Sequence, residues 1–133
     1  MVGFASGSWV VGKKAWCIVA FQASHRFARI SATKVRPAAD LIRGKYADDA
    51  LDALRYLPHR GARMLEKVLK SALGNAEDQG ARHVEQLVVV DARVDEGPAF
   101  KRIQPRARGM AYVIRRRMSH IRVTLAEAGE LSA

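Results

Sequence analysis

The chain has 133 residues, 49% apolar and 27% charged, enough for one folded domain with a modest core and too apolar for a disordered one. Its 23 Lys and Arg against 13 Asp and Glu leave a formal charge of +10, which makes a polyanion or an anionic surface the natural partner. The single cysteine, Cys17, excludes an intrachain disulfide framework and fits a reducing compartment, and no apolar run reaches the roughly eighteen residues needed to cross a bilayer.

Residues 1–24 carry Gly, Ser and Trp without a helical period and read as an appendage. Ala15 to Phe21 is a short apolar run behind Lys13 and Lys14, so a signal or transit core stands as the alternative to an extra strand or a loose extension. The body is expected over residues 25–127, with a short tail at 128–133.

The stretch SATKVRPAADLIRG predicts the first helix, with Ser31 as N-cap, Val35, Ala38, Ala39 and Ile42 on the apolar side, and Gly44 as the stop. Pro37 removes a backbone bond beyond the first turn, so the regular helix is expected to begin only there, after an irregular approach over 31–36. In DDALDALRYLP, Asp48 or Asp49 caps a short second helix with Ala50, Leu51, Leu54 and Leu57 at helical spacing. The third helix runs from about Arg60 to Gln79 and stops at Gly80. Leu65, Val68, Leu69, Ala72, Leu73 and Ala76 form its apolar stripe, and Arg63, Lys67 and Lys70 line the reverse side, free to bind.

After Gly80 the period changes to that of a strand. VEQLVVVDARV and AYVIRRRMSHIRVTL are rich in β-branched residues, and PRARG between them supplies Pro105 and Gly109 for a reversal with its apex near Arg106 to Met110. Leu87 to Val90 and Ile121 to Leu125 are apolar enough to join a sheet. Farther out, residues 97–117 hold seven Lys and Arg and no acid, and the acid-free run continues to Ala126. Alternation puts Arg115 and Arg117 on one side and Arg116 on the other, and splits Lys101 from Arg102, so neither face suits a protein core. From Val90 to the apex such a ribbon would reach about 55 Å at about 3.3 Å per residue. A lone hairpin is marginal in water, and this one also repels itself, so its order is expected to come from phosphates along both faces. Phe100, Ile103, Met110, Tyr112 and Ile114 either lie on bases or pack across the ribbon. Folded RNA suits such an arm better than duplex DNA, because RNA offers irregular clefts. A DNA-architectural β-arm protein is the rival, and a cationic membrane-surface protein, resting on Trp9, Trp16 and Lys13-Lys14, is a third reading.

Catalytic patterns do not emerge. His25, His59, His83 and His120 are scattered, and one cysteine gives no metal-ligand spacing. Ser119 and His120 are neighbours on a strand and face opposite ways, which disfavours a nucleophile and base. Asp48-Asp49 reads as a helix start and Asp95-Glu96 as partners for nearby arginines. There is no phosphate loop of the GxxxxGK[ST] kind, so an enzyme is not expected.

KVRPAADLIRGK, LEKVLKSALGNAE, VDEGPAFKRIQPRARGMA and RRRMSHIRVTLAE, in this order and spacing over about residues 25–127, resemble large-subunit ribosomal protein number 22. The resemblance implies an α+β fold: three helices packed on a small three-stranded antiparallel sheet, with a long protruding β-hairpin arm over about residues 90–122. It further implies a structural constituent of the large subunit that binds 23S-type ribosomal RNA, aids subunit assembly, and lines the nascent-peptide exit tunnel with its hairpin. Neighbouring large-subunit proteins and the passing nascent peptide are the other implied partners. The protein would be a monomer within a cytoplasmic ribosome, an organellar one being the alternative, with no cofactor or metal.

By position, Lys34, Arg36, Arg43, Gly44 and Lys45 match the family's first-helix motif, and Ser71, Asn75 and Ala76 its third-helix motif. Gly97, Pro98, Lys101, Arg102, Pro105, Arg106, Arg108 and Gly109 match the arm, and Ser119, His120 and Ile121 its return. The RNA-binding set expected is therefore His25, Arg26, Arg29, Ser31, Lys34, Arg36, Arg43 and Lys45 around the first helix; Arg60, Arg63, Lys67, Lys70, Ser71 and Asn75 on the third; and Lys101, Arg102, Arg115, Arg116, Arg117 and His120 on the arm. Arg106, Ala107, Arg108, Gly109, Met110 and Ala111 would form the tunnel-facing tip. Met110 stands where the family usually has Arg, and Tyr112 replaces a common Asp, so the chemistry of the tip departs from the pattern.

Overall fold

The computed structural model describes residues 20–127. The appendage features Trp9, Lys13, Lys14, Trp16 and Cys17, and the tail at 128–133, lie outside the described residues. Strand β1 (Phe21–Ala28) is followed by helices α1 (Ala32–Ile42), α2 (Ala47–Tyr56) and α3 (Arg60–Asp78), then by the long strands β2 (Leu87–Pro105) and β3 (Ala111–Glu127). The strands form one antiparallel sheet in the order β1-β3-β2. This is the expected α+β fold of three helices on a three-stranded sheet.

The core lies between the helices and one sheet face. Phe21, Leu87, Val89, Ile121, Val123 and Leu125 meet the apolar stripes of α1 and α3, including Val35, Ile42, Leu65 and Leu69, while Leu54 of α2 is equally buried. Two bulges set which residues of β2 face inward. Leu87 and Val89 are buried, and strict alternation would next bury Asp91 and Arg93. An extra residue between Val89 and Asp91 reverses the parity, so Ala92 and Val94 turn inward and both charges turn out. A second extra residue falls between Glu96 and Ala99, at Gly97-Pro98, and a third irregularity lies in β1 between His25 and Ala28. In each case the surplus residue belongs to β1 or β2 and none to β3.

Several expected boundaries are corrected. The body begins before residue 25, because Phe21 to Ser24 already pair with β3. Helix α1 is regular through Pro37, starting at Ala32. The proline's lost bond is outweighed by burying Val35, Ala38, Ala39 and Ile42 on one face. Ser31 occupies the N-cap position, but its hydroxyl makes no cap bond to a helix N–H and instead shares a hydrogen bond with that of Thr33 at 3.2 Å. In α2 the N-cap position belongs to Tyr46, and Asp48 and Asp49 sit in the first turn, where negative charge suits the exposed N–H groups. Val84–Gln86 form a 3₁₀ turn in place of a strand start.

The edges of the sheet are closed by backbone and side-chain groups of the helical layer. Gly44 N–H donates to Val89 O at 2.8 Å, and Val89 N–H to Lys45 O at 2.9 Å. Arg43 donates to Ala92 O through Nε (3.2 Å) and Nη2 (2.9 Å), and Arg36 Nε donates to Val94 O at 3.4 Å. On the opposite edge Asn75 Nδ2 donates to Gln22 O at 2.9 Å. Carbonyls that an edge strand would leave open to another chain are thereby occupied.

Candidate nucleic-acid interface

Beyond Val94 and Ile121, the last buried pair, β2 and β3 continue as a two-stranded ribbon paired to Pro105 and Ala111. Val94 to Pro105 spans about 36 Å at about 3.3 Å per residue; the expected reach counts from Val90 to the apex, so it begins lower on β2, where the sheet still runs, and ends beyond Pro105. From Asp95 to Arg117 every residue but Gly97 and Gln104 is exposed, so the ribbon does not lie on the helices. The register places Lys101 directly opposite Arg115, a like-charge pair that opposes strand pairing, and Phe100 opposite Arg116. Arg102 stands over the Phe100 ring at 5.5 Å. At the apex Arg106 N–H donates to Met110 O at 2.7 Å, and Arg108 and Gly109 take positive φ, 59° and 69°. Glycine tolerates that geometry freely and arginine only with strain. Residues 106–111 are all exposed.

At the root of the ribbon, β1 ends at Ala28 opposite Ser119, and the flank of β3 beyond that point loses its neighbour. The chain turns through Arg29, Ile30 and Ser31 into α1, leaving a cleft of about 940 Å³ beside the free flank. Arg29, Lys34 and Arg60 line it from the body, Arg102 and Arg115 to Arg117 from the ribbon, and among the described residues no carboxylate is in its walls. Gly61 eases the approach of Arg60: a Cβ there would stand 3.3 Å from Lys34 O and 3.4 Å from Val35 Cα, so a larger residue would press on the α1 backbone where α3 starts beside it. The cleft joins cations from four separate stretches of sequence around a space fit for phosphates.

The remaining expected residues divide. His25, Arg26, Lys45, Arg63, Lys67 and Ser71 are exposed. Lys70 forms an ion pair with Glu66 at 2.8 Å, and Arg55 also approaches Glu66, at 3.7 Å. The Lys70 hydrogen bond holds the Glu66 carboxyl below its ordinary value, against a smaller opposing effect of burial, with further help from the charges of Lys70, Arg55 and Arg63. Arg36, Arg43 and Asn75 are engaged with the sheet edges, and Arg43 also pairs with Asp40 at 3.0 Å. His120 accepts the Phe27 N–H at Nδ1 (3.0 Å) and packs edge-on against the Phe27 ring, which fixes the β1 bulge where Phe27 adopts φ 58°. Ser119 is fully buried and His120 partly exposed, on opposite faces as expected. Asp95 and Glu96 make no ion pair among the described residues, contrary to expectation, and both remain exposed. The sequence reading missed Arg93 and Arg122, which face each other on the open side of the sheet, with Arg93 tied to Asp91 at 3.2 Å. Strict alternation along β3 points Arg122 outward, while placing Arg93 required the bulge.

Residues 23–126 match the family model described as ribosomal protein L22p/L17e. The chain belongs to that family. The large ribosomal subunit protein uL22 of Rhodopirellula baltica is 64% identical over 110 residues, covering 79% of this chain and 92% of the relative. The proteins of the same name from Caldicellulosiruptor saccharolyticus (49% over 105 residues, 79% and 86% covered) and Akkermansia muciniphila (50% over 106 residues, 80% and 95%) are similar over the same part. As an L22p/L17e protein the chain has a structural role in the ribosome and is not an enzyme.

Proposed function

We propose that this L22p/L17e protein is a constituent of the large ribosomal subunit that binds and braces large-subunit ribosomal RNA. The observation carrying this reading is the carboxylate-free cleft continued by an exposed cationic ribbon with Lys101 set against Arg115. In the free protein that pair repels; between phosphates it becomes an asset, and counterions released from the RNA favour association. The cleft fixes the root of the arm, and α3, through Arg63 and Lys67, adds a second face for the backbone. These contacts position RNA and do not read bases. In our reading the arm then lies in the nascent-peptide exit tunnel with Arg106 to Ala111 toward its wall, Met110 and Tyr112 altering the surface met by the passing chain. Its partners are ribosomal RNA, neighbouring subunit proteins and the nascent peptide, with one copy per bacterial cytoplasmic ribosome; the bacterial origin of the relatives supports that setting.

The test is salt dependence. Replacing Arg115, Arg116 and Arg117 together by alanine is expected to weaken binding to a large-subunit RNA fragment and to lower the slope of log affinity against log salt by about 2 to 3. An unchanged slope rejects the assignment, and a preference for duplex DNA in competition at equal salt favours the DNA-architectural alternative.

A further inference from the structure

The cationic cleft shares a wall with a second cavity. On the far side of Ile30, Lys34 and Arg60 lies a groove of about 420 Å³ whose floor is apolar. Helix α1 contributes Pro37, Ala38 and Leu41, which with Lys34 recur at helical spacing along one face, and Leu57 and Gly61 close the other side. Leu41 is 50% exposed, a large aliphatic side chain at the mouth of the groove. The donors of Lys34, His59 and Arg60 border it. Pro37 is a costly choice inside a helix, and it presents its ring to this groove.

We propose that the groove receives the unpaired base of a single RNA nucleotide extruded from its strand, while the neighbouring phosphates lie in the adjoining cleft. The proposal rests on the RNA-binding reading and adds a ligand class to one part of that surface. Charge complementarity selects this occupant. A nucleotide joins a flat, weakly polar ring to an anion, matching an apolar floor whose shared wall carries Lys34 and Arg60. A second copy of this chain would bring +10 of its own to the same cations. The groove's volume is at the small end of ligand pockets, which suits one base and excludes a duplex.

The experiment compares two RNA hairpins that differ by one unpaired 2-aminopurine nucleotide in the stem, titrated with the full chain at fixed salt. The bulged hairpin is expected to bind on the order of tenfold tighter, with a change in 2-aminopurine fluorescence. Leu41→Ser and Pro37→Ala should each bring the affinity ratio of the two hairpins toward one. Pro37→Ala should also raise the thermal midpoint of the free protein, so that its loss of discrimination cannot be unfolding. Equal binding of the two hairpins by the unaltered chain overturns the proposal, as does a ratio that survives both substitutions. So does a free protein that self-associates through Leu41, since the groove would then hold a second copy. If the two RNAs bind equally but with steep salt dependence, the RNA reading stands without the base site. If neither shows salt-dependent binding, both readings fall.

Discussion

The body and the arm are made from the same two strands and differ in what lies beside them. Below Ser119, β3 has β1 on one side and β2 on the other, and Ile121, Val123 and Leu125 point into a core covered by α1 and α3. Above it, the same strand has one neighbour among the described residues and carries Arg115, Arg116 and Arg117 where the body carries valine and isoleucine. Backbone pairing alone therefore supports the arm, and backbone pairing alone is marginal in water. The comparison teaches that a regular ladder can extend past the protein's own core, and that such an extension has little beyond strand pairing to hold it in the free chain.

Equivalent substitutions in the two regions should diverge most for large apolar side chains. Leu69→Ala, in a fully buried position of α3, is expected to cost about 2 to 5 kcal/mol, read as a lower denaturation midpoint. Ile103→Ala, on a side chain 75% exposed in the arm, should change it by less than about 0.5 kcal/mol. A comparable loss at Ile103 would mean that the ribbon has packing of its own. A smaller divergence is expected for polar groups. Asn75→Ala removes the donor to Gln22 O and should cost about 1 kcal/mol, whereas Gln104→Ala in the arm should be neutral by the same denaturation measurement. The smallest effect concerns pH. Glu66 has its carboxyl held down by Lys70, so its contribution is full above the ordinary value of 4.5 and fades as pH falls through the lower value in the folded protein. Glu66→Gln should flatten this part of the acid limb of a stability-versus-pH curve, and the arm from Gly97 to Arg117, lacking carboxylates, should add nothing to that limb.

The elements legible in the sequence were those with a long uninterrupted period. Helix α3 was placed to within a residue because its stripe repeats over five turns, and the arm was visible as a strand pattern without an apolar face. Strand β1 was not, since its alternation holds only at Phe21 and Ala23 before the bulge, and Phe27 then takes a conformation rare for a bulky residue. Pro37 misled for the opposite reason: local propensity argued for a break, and burial of the opposite helix face overrode it. Among the candidate site residues, charge identified Arg29, Lys34, Arg60 and the arginine triplet individually. Their convergence depended on the close approach at Gly61 and on where β1 leaves the sheet, neither of which leaves a local mark. Arg36, Arg43 and Asn75 were recognisable as important, but the carbonyls that engage them belong to strands some fifty residues away in sequence.

All surplus residues fall in β1 and β2, so β3 is an unbroken spine from the tip to Glu127. Tension applied at the apex would travel down this spine and reach the body as shear, where ladders on both flanks must slip together before the strand can move. The bulges are confined to its neighbours, so nothing along the spine itself offers a place for lengthwise extraction to begin. A protein anchored in this way can tolerate jostling at its far end without loosening its footing.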